Sequence, residues 1–286
     1  MTAVRIGAVA APFDRDVDAA FARIDTILEE ARRRALDLVV LPEAAIGGYV
    51  ADLQGTVDPP PALAPDGPEI RRLTELAGDL VVCAGYCEAG EDGLRYNAAV
   101  CVGEGTVLGR YRKVHQPLAE GSTYGSGDRL GAFDTPVGRM AMQICWDKGF
   151  AEAARTQALD GATIIASLSA WPASRTHRAP RIEDDRWTRR YDLFDRSRAL
   201  DNQVVWVASN QTGTFGSLDF VGRAKIVDPG GEILDVTPVE GGIAVAEVDV
   251  DVELATHRAG MCNLRDRRPD AYRLGPWVPD LVGTAP

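Results

Sequence analysis

The chain contains a mostly apolar run that stops on a cysteine, Gly138-Arg139-Met140-Ala141-Met142-Gln143-Ile144-Cys145-Trp146-Asp147. Polar and turn residues follow this run, and a helical pattern then begins at Glu152, so the stretch predicts a strand that feeds a helix. Cys145 would lie at the carboxyl end of the strand, where open α/β sheets bind ligands, and close to a helix N-terminus, which favours the thiolate. The alternative is a buried structural cysteine, since free cysteine is among the most buried residue types.

The composition of the 286-residue chain is that of a soluble globular protein, with 45% hydrophobic and 26% charged residues. Its net charge of −11 argues against nucleic acid and an anionic membrane as partners. The five cysteines are odd in number and lack a C-x-x-C spacing, and the three histidines are scattered, so neither disulfides nor a metal centre is suggested. The apolar run Val4–Ala11 is too short for a signal peptide and no run spans a membrane, so we expect a cytoplasmic, reducing location.

Strand and helix patterns alternate along the whole chain without a linker, which predicts one α/β domain over residues 1–286. The other strand patterns are Val4–Ala10, Asp37–Glu43, Leu80–Cys87, Asn97–Val102, Thr106–Val114, Thr163–Leu168, Gln203–Ser209, Ala224–Val227, Glu232–Val236 and Gly242–Val250. The helical patterns are Asp16–Arg34, Glu69–Ala77, Gly149–Leu159, a charged helix within Pro180–Asp201 with Trp187, Tyr191, Leu193 and Phe194 as apolar members, and Asp251–His257. Residues 260–286 are predicted to form a C-terminal tail.

Three side chains with complementary chemistry end three of these strands: Glu43, Lys113 and Cys145. Side chains at strand ends can converge at one rim of a sheet, although a strand-terminal Glu or Lys taken alone is usually just solvated. Together the three supply what covalent amide hydrolysis needs. A thiolate attacks the carbon, a carboxylate accepts the thiol proton and later activates water, and a fixed cation stabilises the oxyanion.

The chain resembles the nitrilase superfamily of carbon–nitrogen hydrolases in motifs that follow one another over nearly its whole length. The motifs are Leu41-Pro42-Glu43 with Gly48-Tyr49, Tyr111-Arg112-Lys113-Val114-His115, Gly127-Asp128 preceded by Ser126 where the family has proline, Ile144-Cys145-Trp146-Asp147, Ala208-Ser209-Asn210-Gln211 and Leu264-Arg265-Asp266-Arg267-Arg268-Pro269. Glu120 falls at the spacing of the family's second glutamate. This combination makes an inert thiol at Cys145 the less favoured interpretation.

The resemblance implies a four-layer α-β-β-α sandwich that usually dimerises, which would place the tail at an oligomer interface. It implies that Cys145 is the nucleophile, Glu43 the general base and Lys113 the oxyanion stabiliser, with Glu120 orienting substrate or tuning Lys113. The backbone N–H of Trp146 would be a second oxyanion donor, and no metal or organic cofactor is required. The candidate substrate-binding residues are Tyr49, Trp146, Trp171 and Asn210, although Trp171 could equally be a core aromatic.

The segment after the cysteine resembles the amidase and N-carbamoyl-polyamine amidohydrolase branches most, except that Ala151 stands where those branches usually have proline. We therefore expect a small linear amide or carbamoyl substrate. A nitrile remains the alternative, as do acyl transfer through the same thioester and a non-catalytic binding role, although binding alone would not require all four polar residues. The run Glu183-Asp184-Asp185 either attracts a cationic end of the substrate or forms the acidic start of the following helix.

Overall fold

The computed structural model describes residues 3–54 and 58–275. Its strands are β1 (Val4–Ala11), β2 (Leu38–Val40), β3 (Val81–Ala89), β4 (Arg95–Gly103), β5 (Thr106–Arg112), β6 (Ala132–Thr135), β7 (Gly138–Ile144), β8 (Ile164–Ser169), β9 (Val205–Gln211), β10 (Thr214–Phe215), β11 (Leu218–Asp219), β12 (Lys225–Val227), β13 (Ile233–Val236) and β14 (Gly242–Val248). Its α-helices are α1 (Val17–Arg33), α2 (Pro68–Ala77), α3 (Ala151–Leu159), α4 (Arg186–Asn202) and α5 (Val250–Arg258). Short 3-10 helices cover Leu118–Ser122, Cys145–Gly149, Ile182–Asp184 and Pro269–Ala271.

Twelve of these strands form one hydrogen-bonded sheet with the order β5-β4-β3-β2-β1-β9-β8-β7-β6. Strand β14 pairs with β1, and the β12–β13 hairpin pairs with β9. At the centre of the order β1 and β9 share only two residue pairs, Ala10 with Asn210 and Ala11 with Gln211. This narrow junction divides the sheet into two halves, and β4 and β5 of one half contact β7 of the other.

Alternating side chains of each strand build two different cores, as the period of two in a strand requires. Ile6, Ala8 and Ala10 of β1 join the core between the two halves of the sheet, whereas Val9 and Ala11 face α1 and α2. Helices α3 and α4 pack on the β7–β8–β9 half through further buried residues. The layers therefore run helix, sheet, sheet, helix, which confirms the predicted four-layer α-β-β-α sandwich.

Several predicted bounds differ from the structure for identifiable reasons. The second strand ends at Val40 because Pro42 has no N–H to continue the ladder. The sequence analysis missed β6, a short strand of half-buried and exposed residues without an apolar pattern. Leu193 is 63% exposed and not an apolar contact of α4, since it lies off the helical stripe of Trp187, Tyr191 and Phe194.

The beginning of the predicted tail is attached to the α3–α4 face. The amide of Asn263 donates to Gln203 Oε1 at 2.9 Å, and Arg155 Nη1 donates to the carbonyl of Asn263 at 3.2 Å. Residues 276–286 of that tail lie outside the described residues. Within the described ranges, every helix is too short or too polar to cross a membrane.

Candidate active site

The three predicted strand-end residues come together in the interior of the sandwich. Glu43 follows β2, Lys113 follows β5 and Cys145 follows β7, and the 3-10 turn at 118–122 adds Glu120. Lys113 Nζ lies 3.0 Å from Glu43 Oε1 and 2.7 Å from Glu120 Oε2. The exposed fraction of each of the four residues is 4% or less. The structure therefore unites the four predicted catalytic residues at one buried site.

Asn97 connects the two glutamates and was missed by the sequence analysis. It lies on β4, and its Nδ2 donates to Glu43 Oε1 at 2.7 Å and to Glu120 Oε1 at 2.7 Å. Its Oδ1 is buried and has no hydrogen-bond partner among the residues that the structure describes. The signal available in the sequence was a single polar residue at the start of the apolar run Ala98–Val102. With both amide hydrogens used, Asn97 fixes the separation of the two carboxylates.

The backbone around Glu43 fixes its second oxygen. Glu43 Oε2 accepts a hydrogen bond from the amide of Ala170 at 2.5 Å, and its carbonyl accepts from Gln211 Nε2 at 2.9 Å. Gly85 on β3 allows this close approach, because a Cβ there would lie 2.4 Å from the nitrogen of Ala44 and 2.8 Å from Glu43 Cα. These contacts cross the sandwich, so the position of Glu43 depends on both halves of the sheet.

The ammonium group of Lys113 pairs with two carboxylates in this site. Burial by itself would lower the pKa of Lys113, but the charges of Glu120 and Glu43 outweigh burial and raise it above its ordinary value. Burial raises the pKa of Glu120 to about 7, against the opposing charge of Lys113 and with a further rise from Glu43. Glu120 therefore keeps its proton to a higher pH than an exposed glutamate does.

Asp147, two residues after Cys145, fixes the turn that carries the cysteine. Asp147 Oδ2 accepts from Tyr111 Oη at 2.7 Å and from the amide of Ile144 at 3.1 Å, while Oδ1 contacts the amide of His115 at 2.9 Å and its Nδ1 at 2.8 Å. Cys145 itself has a φ of +51°, which lies in a backbone region that residues other than glycine rarely adopt. The surrounding hydrogen bonds hold this strained residue in place.

The expected preference of Cys145 for the thiolate is wrong for the resting site. Burial raises the pKa of the thiol, the charge of Glu43 raises it further, and Lys113 opposes both. The residue begins a five-residue 3-10 turn, and α3 starts only at Ala151. The surroundings of Cys145 therefore favour the neutral thiol over the thiolate.

Two of the predicted substrate-binding residues lie in an aromatic cluster beside the cysteine. The ring of Trp146, which is half-buried, lies 5.8 Å from that of Trp171 and 6.2 Å from that of Trp187. Trp171 is buried, and its Nε1 donates to the carbonyl of Trp187 at 3.0 Å. Trp171 thus packs against Trp146 inside this cluster.

The other two predicted substrate-binding residues differ in their surroundings. The Tyr49 ring centroid lies 6.0 Å from Lys113 Nζ, and burial followed by the charges of Glu120 and Glu43 raises the pKa of Tyr49, which keeps it neutral. Asn210 instead uses its amide on backbone: Oδ1 accepts from the amide of Trp171 at 2.7 Å and Nδ2 donates to the carbonyl of Gly222 at 2.9 Å. The structure therefore gives Asn210 a supporting role under Trp171.

Two polar groupings outside the site have local explanations. Asp185 caps α4, since its Oδ1 accepts from the amides of Trp187 at 2.8 Å and Ser174 at 3.0 Å, so one residue of the acidic run is structural. The side chains of Asp228, Glu253 and His257 could together hold a metal ion. Asp228 Oδ1 already accepts two backbone amides of its own turn, and Glu253 lies 3.5 Å from His257.

Comparison with known proteins agrees with this fold and site. A model of the carbon–nitrogen hydrolase family matches residues 5–257. A nitrilase from Pyrococcus abyssi is 31% identical over 262 residues, 89% of this chain and 93% of that protein. An N-carbamoylputrescine amidase from Solanum lycopersicum is 29% identical over 276 residues, 91% of this chain and 90% of that protein. The crystal structure of a carbon–nitrogen hydrolase from Helicobacter pylori G27 superposes with a TM-score of 0.81 at 25% identity, covering 94% of this chain and 97% of that chain.

The fold and the family match together define an enzyme of the hydrolase class, with a cysteine at the expected catalytic position. The chain belongs to the carbon–nitrogen hydrolase family, within the nitrilase superfamily.

Proposed function

We propose that the enzyme hydrolyses a small linear amide or N-carbamoyl amine through a thioester on Cys145 and releases ammonia. The observation that carries this proposal is the placement of one buried ammonium, Lys113, between two carboxylates beside a buried thiol. A binding role alone gives no reason to bury this set of charges, because isolated charges are costly to remove from water.

The first half-reaction forms the acyl-enzyme. Glu43 accepts the thiol proton while the Cys145 sulfur attacks the amide carbon, and the carbonyl oxygen becomes an oxyanion. Lys113 and the backbone N–H of Trp146 stabilise that oxyanion. When the tetrahedral intermediate collapses, the carbon–nitrogen bond breaks and the proton held by Glu43 passes to the departing ammonia.

The second half-reaction consumes water. Glu43, ionised again, accepts a proton from a water molecule that attacks the thioester carbon, and the carbon–sulfur bond breaks to return the thiol and the acid. From a carbamoyl amine the released acid is a carbamic acid, which loses carbon dioxide to leave the amine. Glu120 holds Lys113 in position through a 2.7 Å hydrogen bond. Asn97, which donates to both glutamates, fixes the distance between Glu120 and Glu43.

The site and one relative support the proposed substrate class. Tyr49 and Trp146 would form walls for a short acyl group, and Asn210 would act through Trp171 and not by contact with substrate. The Solanum lycopersicum relative is named an N-carbamoylputrescine amidase, which supports an N-carbamoyl amine as the substrate. The Pyrococcus abyssi relative is named a nitrilase, so conversion of a nitrile through the same thioester is the second candidate.

Intact-protein mass spectrometry with a panel of linear amides, N-carbamoyl amines and the matching nitriles tests the proposal. We expect a mass increase on Cys145 and ammonia release with an amide or carbamoyl amine. Cys145→Ala should abolish both, and Cys145→Ser should be nearly inactive because a carboxylate ionises a hydroxyl poorly. Cys262→Ala is the matched control, since Cys262 is half-buried on the tail. Turnover of nitriles alone would establish the second candidate, and wild-type turnover in Cys145→Ala would contradict both.

We also propose a single-domain, cytoplasmic homodimer that joins through the α3–α4 face and the tail. Large apolar side chains on this face are exposed, namely Leu159, Leu193, Leu200, Met261 and Leu274. Leu193→Glu should shift the mass measured by light scattering from dimer to monomer. The control Leu94→Glu, at an exposed leucine on the loop before β4, should not. A monomeric wild-type protein would contradict the proposal.

A further inference from the structure

The chain has three lysines among 31 basic residues, and all three are fully buried. Lys113 belongs to the site described above. The other two, Lys148 and Lys225, meet at one carboxylate: Lys148 Nζ lies 2.6 Å from Asp195 Oδ1, and Lys225 Nζ lies 2.8 Å from Asp195 Oδ2. Lysine is almost never fully buried unless paired, so this lysine-pair cluster of Lys148, Lys225 and Asp195 requires an explanation.

The cluster has more positive than negative charge in its interior. Two ammonium groups face one buried carboxylate, which also accepts a hydrogen bond from Trp206 Nε1 at 2.9 Å. Asp192, at the edge, contacts Lys225 at 3.2 Å but is shared with Arg223 at 2.8 Å. The two ammonium nitrogens also lie 4.0 Å and 3.6 Å from the centroid of the Tyr191 ring. Such cation–ring contacts stabilise desolvated ammonium groups.

The catalytic set has the opposite imbalance, two carboxylates with one ammonium, and the two clusters meet at the nucleophile turn. Lys148 is three residues after Cys145 in the same 3-10 turn, and α4 holds this turn because Arg198 Nε donates to the carbonyl of Lys148 at 2.9 Å. Burial raises the pKa of Cys145 and Glu43 raises it further, while Lys113 and, more weakly, Lys148 oppose this rise. Burial lowers the pKa of Lys148, and the charges of Asp195 and, more weakly, of ionised Cys145 oppose that fall. The coupling is reciprocal, as linkage requires.

We propose that Lys148 is a positioning residue that stabilises negative charge on the sulfur of Cys145, which it follows by three residues in the same turn. This inference rests on the proposed function in that the charge is needed when Cys145 attacks. Asp195 and Tyr191 hold Lys148 in place and offset the cost of its burial.

The pH dependence of Cys145 has contributions from each element packed around it. The charged and titratable groups that face Cys145 are Glu43 after β2, Tyr49, Lys113 after β5, Glu120 in the 118–122 turn, Lys148 in its own turn and Tyr191 on α4. The groups that face Lys148 are Asp195 and Tyr191 on α4, Lys225 on β12 and Cys145 itself. Replacing Lys148 changes only one of the cations in the first group.

The test measures the rate at which iodoacetamide alkylates Cys145 as a function of pH, with Cys262→Ser in every protein to remove the half-buried thiol. We expect Lys148→Met to move the midpoint of the profile to higher pH and to slow alkylation at neutral pH about tenfold. Lys225→Met is the matched control: it also leaves Asp195 with one ammonium, but it keeps the cation in the nucleophile turn. Its profile should agree with the parent within about twofold.

Alkylation needs no amide turnover, so this result is independent of whether the proposed hydrolysis is correct. Equal profiles for Lys148→Met and the parent, or equal shifts in the two lysine variants, would overturn the proposal. Lys148→Gln, which is also uncharged, should repeat the shift of Lys148→Met. If neither Lys148 variant folds while Lys225→Met does, Lys148 has a structural role and the proposal is wrong.

Discussion

The ammonium of Lys113 lies 2.7 Å from Glu120 Oε2, closer than its 3.0 Å distance from Glu43 Oε1. Glu120 therefore shares the charge of the cation that the mechanism needs for the oxyanion. Both glutamates accept from Asn97, but only Glu43 also accepts from the amide of Ala170. The two carboxylates have similar chemistry but different partners. This difference leads to separate predictions for the two glutamates.

Glu43→Gln should block acylation, because it removes the proposed proton acceptor for Cys145. Glu120→Gln keeps Glu43, so slow acylation should continue, while the acyl group and the water are less well positioned for deacylation. Intact mass spectrometry should then show an acyl-enzyme that accumulates in Glu120→Gln and no adduct in Glu43→Gln. Accumulation in Glu43→Gln with none in Glu120→Gln would reverse the two roles.

Lys113→Ala should lower the catalytic rate by at least ~10², the usual effect of removing an oxyanion donor. Lys113→Arg should not restore activity, since a planar guanidinium does not fit a fully buried position built for an ammonium between two carboxylates. Steady-state rates at saturating substrate, with melting curves as the folding control, measure both. Near-normal turnover of the arginine variant would mean that Lys113 supplies charge without contacting the oxyanion.

Gly85→Ala should lower activity by roughly 10²-fold, because displacements of about 1 Å at a catalytic group have effects of this size. The added Cβ would lie 2.4 Å from the nitrogen of Ala44, so the segment that carries Glu43 must move. Gly121→Ala, next to Glu120, is the control, since among the described residues its Cβ would meet only Gln116 Cβ, at 3.7 Å. Wild-type rates in folded Gly85→Ala would show that β3 does not position Glu43.

The free energy of unfolding of the wild-type enzyme should fall, relative to that of Glu120→Gln, as pH rises from about 4.5 to about 7. The pKa of Glu120 is raised from 4.5 to about 7 by burial, so the native state retains a proton that the unfolded chain has released. The contribution of this proton to the free energy of unfolding is fully present below pH 4.5 and is lost above about pH 7.

Denaturant unfolding of both proteins across this pH range measures the effect. The difference in free energy of unfolding should change by an amount on the order of 3 kcal/mol over this range. If this difference in free energy of unfolding does not change with pH, the proton that the native state retains is not on Glu120.

The order of most strands and helices could be predicted from the sequence, and so could the proximity of Glu43, Lys113, Glu120 and Cys145 as candidate catalytic residues. Local periodicity encodes which segments are strands, and the carboxyl ends of strands meet by geometry, so residues at those ends are natural candidates. The family motifs then assigned roles that the residues taken singly did not carry. Strand β6 and the exposure of Leu193 were not predictable in this way, because the first lacks an apolar pattern and the second depends on which helix face is covered.

Only the tertiary structure decided how the four residues are held. Asn97 and the amide of Ala170 are separated from Glu43 by 54 and 127 positions, and no local pattern relates hydrogen-bonding groups that far apart. The same holds for Lys148 and Lys225, which resemble solvated surface lysines until the fold places them on one buried carboxylate. Periodicity in a sequence specifies which face of an element is buried, whereas the partner of a buried polar group is set by the packing of elements that are distant in the chain.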